Sequence, residues 1–192
     1  MEPFDGPQGQ TCPRLTWRPS PWGAFFAELD SALTEEVSLH CLGGFVVRVC
    51  YRLNRPTADV DIAEVIPKDQ DVLLQLAGAG SKLHRKHGVY VEHVTVANLP
   101  ENYEDRLVEL FRSAYRRIHL YALDPYDLAL SKVDRNSQVD RDDVKHLVKT
   151  VPLDLQILKQ RYDRELRPVF VGDVQRADLT MKLWLEAFSE LS

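Results

Sequence analysis

The run Leu42-Gly43-Gly44, followed after a helix-length spacer by Arg55-Pro56-Thr57-Ala58-Asp59-Val60-Asp61-Ile62, carries the reading of the fold. Val37 to Leu42 alternates weakly and predicts a short strand, and Phe45 to Leu53 has the composition of a buried helix. Two glycines between them let the backbone turn tightly and open a helix whose free N–H groups and dipole suit a phosphate. Arg55-Pro56-Thr57 reads as a turn and Ala58 to Val65 as a strand. Residues two apart in a strand share a face, so Asp59 and Asp61 point one way while Val60 and Ile62 point into the core. Two carboxylates beside a phosphate cradle form a hard oxygen site suited to Mg2+. Taken singly, a Gly-Gly after a strand is usually only a turn, and an Asp-x-Asp is usually a wet strand edge. Their occurrence together, in this order and spacing, favours the site.

Outward from this run, Phe25, Phe26, Leu29 and Leu33 recur at helical spacing and predict a helix from Trp22 to Leu33. Pro67 opens a predicted helix to about His87, weakened near Gly78 and Gly80 and capped by Gly88. Val89 to Val96 is β-branched and reads as the best strand of the chain. A helix is predicted from Pro100 to about Ser113, a strand from Arg117 to Leu123, and helices over about 125–135, 141–150, 153–165 and 174–190. The fold class is therefore α/β (α+β), a mixed sheet flanked by helices with a helical C-terminal region. Residues 1–20, rich in Pro and Gly, read as a flexible arm, 21–123 as the α/β core and 124–192 as the helical region packed on it.

Composition bounds the rest. An apolar fraction of 44% with 28% charged residues is that of a soluble globular protein, and 192 residues suffice for a core without disulfides or structural zinc. Cys12, Cys41 and Cys50 lack metal-binding spacing and read as free thiols in a reducing cytosol. Neither a secretory leader nor a membrane span is legible, which predicts a cytoplasmic protein. A net charge of −5 argues against a protein coated with nucleic acid but leaves room for a local basic groove.

Glu92 in Tyr90-Val91-Glu92-His93-Val94 is the candidate third carboxylate, since a lone acid among valines is costly to bury unless a cation neutralises it. The competing reading is a strand with one wet face. His93, on the opposite face, reads as structural. Capping accounts for Asp124, Pro125 and Asp127 as N-cap, N1 and N3, and for Asp140 and Asp143 as N-cap and N3.

The glycine turn and Asp-x-Asp resemble the signature of the DNA-polymerase-β-like nucleotidyltransferase superfamily. Together with Arg55-Pro56-Thr57-Ala58, they resemble its AbiEii-like branch, which includes bacterial nucleotidyltransferase toxins. Asp124-Pro125-Tyr126-Asp127-Leu128-Ala129-Leu130-Ser131-Lys132, then Arg135 and Asp140-Arg141-Asp142-Asp143-Val144, matches the same branch. The resemblance covers roughly residues 37–150. It implies Mg2+-dependent transfer of a nucleotidyl group from an NTP to an acceptor hydroxyl. Asp59, Asp61 and Glu92 would hold two Mg2+ ions. Gly43, Gly44, Arg55, Thr57, Lys132 and Asp143 would lie at the nucleotide. It further implies a tRNA 3′ end as acceptor and a toxin paired with an antitoxin protein. Lys132 reads equally as a solvated helical lysine, and Arg55 as a partner of Asp59. Basic residues at 82–87, Arg116, Arg117, Arg161, Arg164 and Arg167 could guide RNA if they converge. The rival readings are a non-catalytic relative that binds a nucleotide or a protein, and an interaction module with a decorative Asp-x-Asp.

Overall fold

The computed structural model describes residues 21–67, 70–151 and 153–189. The predicted arm and Cys12 lie outside these residues. In chain order the elements are α1 (Trp22–Ala32), β1 (Val37–Cys41), α2 (Gly43–Tyr51), β2 (Asp59–Ile66), α3 (Gln70–Ala77), α4 (Lys82–His87) and β3 (Tyr90–His93). There follow a 3-10 turn at Tyr103–Arg106, β4 (Val108–Leu110), β5 (Ile118–Ala122), α5 (Pro125–Leu130), α6 (Gln138–Thr150), α7 (Leu155–Arg161) and α8 (Val174–Ser189).

The five strands form one mixed, open sheet in the order β3-β2-β1-β5-β4. β1 runs parallel to β5 and antiparallel to β2, β2 parallel to β3, and β4 antiparallel to β5. Alternation sorts the two faces. Leu39, Val60, Ile62, Val91 and Leu120 are each at most 1% exposed and belong to one core with Phe25, Phe26 and Phe45. Trp22 and Phe26 meet Phe45 edge to face, with ring centroids 5.6 and 6.0 Å apart. The opposite face carries Asp59, Asp61 and, in register with Asp61, Glu92.

Local chemistry explains several boundaries. Ser81 caps α4, and Gly88 ends it in the left-handed conformation with φ +71°, as predicted. The predicted helix over 67–87 is two helices, α3 and α4, because Gly78 to Gly80 breaks it. At the C-terminal end of α1, Asp30 Oδ1 accepts from the backbone N–H groups of Arg116, Arg117 and Ile118 at 3.0, 2.6 and 3.0 Å, which pins the entry to β5. Burial opposes ionisation of Asp30, but these three donors outweigh it and hold its carboxyl below the ordinary range.

Other predicted elements differ as well; the helix over about 125–135 ends at Leu130. The helix over 100–113 is absent. Asn102, Phe111 and Ser113 take positive φ, Arg106 turns to Asp127 and Glu165, and Val108–Leu110 pairs with β5. β3 ends at His93, short of Val96, which is 61% exposed. α6 starts at Gln138, earlier than predicted, because Ser137 and Asp140 form a reciprocal capping box. Asp140 is therefore N3, not the N-cap, and Asp143 lies a turn deeper.

Candidate active site

The site is assembled around Asp61. Its backbone C=O accepts from Leu42 N–H at 3.0 Å, tying β2 to the start of α2. Gly43 opens α2 with φ +69°, and a Cβ there would lie 1.8 Å from Asp61 Oδ2. Only glycine fits both the backbone and the contact. A Cβ on Gly44 would stand 3.2 Å from Thr57 Oγ1 and 3.3 Å from an Arg55 terminal nitrogen, so this glycine keeps the adjoining wall open.

Asp59, Asp61 and Glu92 each present a carboxylate oxygen within 4.8 Å of the others. Parallel pairing produces this, because Asp59 stands level with Tyr90 and Asp61 with Glu92. Burial pushes the Asp61 carboxyl up to about 6, repulsion from Asp59 and Glu92 adds to it, and Lys132 and Arg135 partly offset it. A divalent cation would relieve that crowding, and all-oxygen donors fit a hard ion. Thr57 Oγ1 donates to Asp59 Oδ1, fixing the first carboxylate of the pair.

The loop from Arg52 to Ala58 is fastened on both sides. Arg52 ends α2 in the left-handed conformation, and Arg48 donates to the Arg55 carbonyl at 2.7 Å. His146 of α6 meets the Tyr51 carbonyl at 2.7 Å. Arg55 pairs with Asp143, not with Asp59, through contacts of 3.0 and 2.9 Å to its two oxygens. Lys132 reaches the same carboxylate at 2.9 Å and is 3% exposed, so it is a buried cation and not a solvated helical lysine. Asp140 accepts two bonds from Arg135 at 2.8 and 2.6 Å. Burial favours its neutral form, yet Arg135, Ser137 and Lys132 together hold it down at about 2.

These groups line one cleft of about 580 Å³ containing Gly44, Arg55, Thr57, Asp59, Asp61, Glu92, Lys132 and Asp143. Gly43 underlies Asp61 and lines an adjoining cleft that shares Asp61, Lys132 and Arg135. Gly43, Gly44, Arg55, Thr57, Asp59, Asp61, Glu92, Lys132 and Asp143 thus line these two adjoining clefts. Sequence reasoning missed Tyr90 and Ser137. Burial and then Glu92, Asp59 and Asp61 push the Tyr90 phenol up, and Ser137 lines the cleft while capping α6. The register of β3 on β2 would have found Tyr90, but no local pattern reveals register. His93 stands level with Ile62, away from the carboxylates, although it also lines the cleft.

Several of the basic residues are taken up by acidic partners. Lys86 and His87 pair with Glu28, Arg161 with Asp124 and Asp127, and Arg167 with Asp178. Cys41 and Cys50 are buried and form no disulfide among the described residues. Among the described residues no helix is long and apolar enough to cross a membrane.

A mixed open sheet with a glycine turn feeding a helix, and three carboxylates on the face beside it, is an arrangement of the nucleotidyltransferase class. The family model described as "Nucleotidyltransferase of unknown function (DUF6036)" matches residues 25–188, and the chain belongs to that family. No curated protein and no solved structure matches the chain.

Proposed function

We propose that the protein is a divalent-metal-dependent nucleotidyltransferase that moves a nucleotidyl group from an NTP to an acceptor hydroxyl. The observation that carries this reading is the convergence of Asp59, Asp61 and Glu92 within 4.8 Å, directly beside the Gly43 turn. A divalent cation such as Mg2+ held by these three carboxylates would supply activation of the attacking hydroxyl and neutralisation of the leaving pyrophosphate. The chain's own residues do the remainder. The first turn of α2 offers unpaired backbone N–H groups to the phosphates. Lys132 and Arg55 supply positive charge where the transferred group becomes more negative. Asp143 holds both cations at one spot, so their ammonium and guanidinium groups are oriented before the nucleotide arrives. Thr57 keeps the Asp59 carboxylate turned inward.

The resemblance to the AbiEii-like branch extends the reading to a tRNA 3′ end as acceptor and to a toxin held by an antitoxin. That extension rests on the resemblance alone. The test is incubation with each α-labelled NTP, Mg2+ and total RNA. Label in a tRNA-sized band supports the transferase and its tRNA acceptor. Pyrophosphate release with label in no RNA keeps the transferase and rejects the RNA acceptor. Neither release nor label with any NTP and acceptor rejects catalysis and leaves the nucleotide- or protein-binding module.

A further inference from the structure

A second group of ligating side chains lies on the same sheet face, outside the carboxylate triad. His40 of β1, Glu64 of β2 and Glu104 of the 3-10 turn each present one ligand atom within 4.8 Å of the other two. The sequence spends a residue to make this happen. Cys41 pairs with Ile62 and His40 with Glu64, so Ala63 is an extra residue bulged out of β2. The bulge turns Glu64 onto the face of His40, away from the core face of Ile62 and Val65. Bulges commonly re-aim side chains beside functional sites.

The imidazole is held ready. His40 is 5% exposed, and the rings of Tyr103 and Tyr121 stand edge-on to it at 5.8 and 6.1 Å, which fixes its plane. The Tyr103 hydroxyl has one proton and two acceptors in reach, His40 Nδ1 at 3.1 Å and Glu64 Oε2 at 3.3 Å. Two carboxylates and one imidazole therefore converge at this point of the sheet face. An adjoining cleft of about 490 Å³, lined in part by Tyr103, Glu104, Asn102 and Thr95, opens beside Glu104.

We infer that His40, Glu64 and Glu104 form a second metal site that takes a divalent transition ion of the zinc, cobalt or manganese class. One nitrogen and two carboxylate donors suit such ions better than the all-carboxylate triad does, and three protein ligands with an open position mark a site that can exchange its fourth ligand. The ion would tie the Tyr103–Arg106 turn to the sheet, because Glu104 is the one ligand supplied by that turn.

Co2+ titration of the tag-free, chelator-treated full chain tests this, in an Asp59→Asn/Asp61→Asn background that disables the triad. The site predicts saturable visible ligand-field bands and a raised melting temperature. Both should weaken ~10-fold or more in affinity with His40→Gln and with Glu104→Gln. Glu104 is exposed, so its variant keeps the test valid should His40→Gln fail to fold. Co2+ binding unchanged by Glu104→Gln, or no spectral change at any Co2+ level the folded protein tolerates, overturns the inference. Because the triad is absent from this background, the result is independent of the proposed transferase activity.

Discussion

Gly43 and Asp61 are built against each other: a single added carbon on Gly43 would stand 1.8 Å from Asp61 Oδ2. The turn that opens α2 and the carboxylate at the centre of the triad therefore cannot be varied separately. Gly43→Ala must strain a backbone at φ +69° and also drive Asp61 away from Asp59 and Glu92. The expected cost is about 1–3 kcal/mol of stability by urea denaturation, with Mg2+-dependent nucleotide binding lost. Gly44→Ala, meeting side-chain atoms at 3.2 and 3.3 Å, should fold nearly as well as wild type and weaken nucleotide binding only partly.

Asp143 is buried and clamps two cations, Lys132 at 2.9 Å and Arg55 at 2.9 Å. Asp143→Ala leaves Lys132 charged, buried and short of a partner, which should destabilise the fold by about 3–5 kcal/mol. The double variant Asp143→Leu/Lys132→Met should recover most of that stability while remaining inactive. Denaturant melts of the single and double variants measure the coupling. A double variant no more stable than Asp143→Ala would show that the pair is not a unit.

Asp140 contributes to the acid limb of stability. Its folded pKa of about 2 lies below the ordinary 3.8, so its contribution is complete above about pH 4 and is lost as pH falls through 2. The loss should be about 1–2 kcal/mol, discounted because Arg135 is 70% exposed. Asp140→Asn should lower stability at pH 7 and flatten the pH 4 to 2 limb, read from urea midpoints across that range. An unchanged limb would mean that Arg135 and Ser137 do not stabilise the ionised carboxylate.

The glycine turn, the paired aspartates and Glu92 were legible because each follows from a local period: two in a strand, and one turn between strand and helix. Gly88 and Asp124 were legible for the same reason, since a cap is read within three residues. What could not be read depends on distant partners. Residues 100–113 have helical spacing, yet Arg106 finds a buried acid at Asp127 and Val108–Leu110 finds β5. Left-handed Asn102, Phe111 and Ser113 carry no glycine to announce the breaks. Asp143 meets Arg55 across 88 positions, and the Ala63 bulge appears only once β1 and β2 are paired.

Asp30 offers a stability test away from the site. Asp30→Ala removes the acceptor of three backbone N–H groups at the entry to β5 and should cost about 1–3 kcal/mol. Asn, which keeps one carbonyl oxygen, should restore part of it. Amide exchange at Arg117 and Ile118 should rise in Asp30→Ala while exchange in α8 stays unchanged.

The most direct measurement compares pyrophosphate release from Mg2+ and NTP by wild type and by Asp61→Asn, each verified as folded by circular dichroism. Mg2+-dependent release is expected in wild type, with a loss of at least ~100-fold in Asp61→Asn and the fold intact. Equal release by the Asp61→Asn protein would contradict the transferase reading.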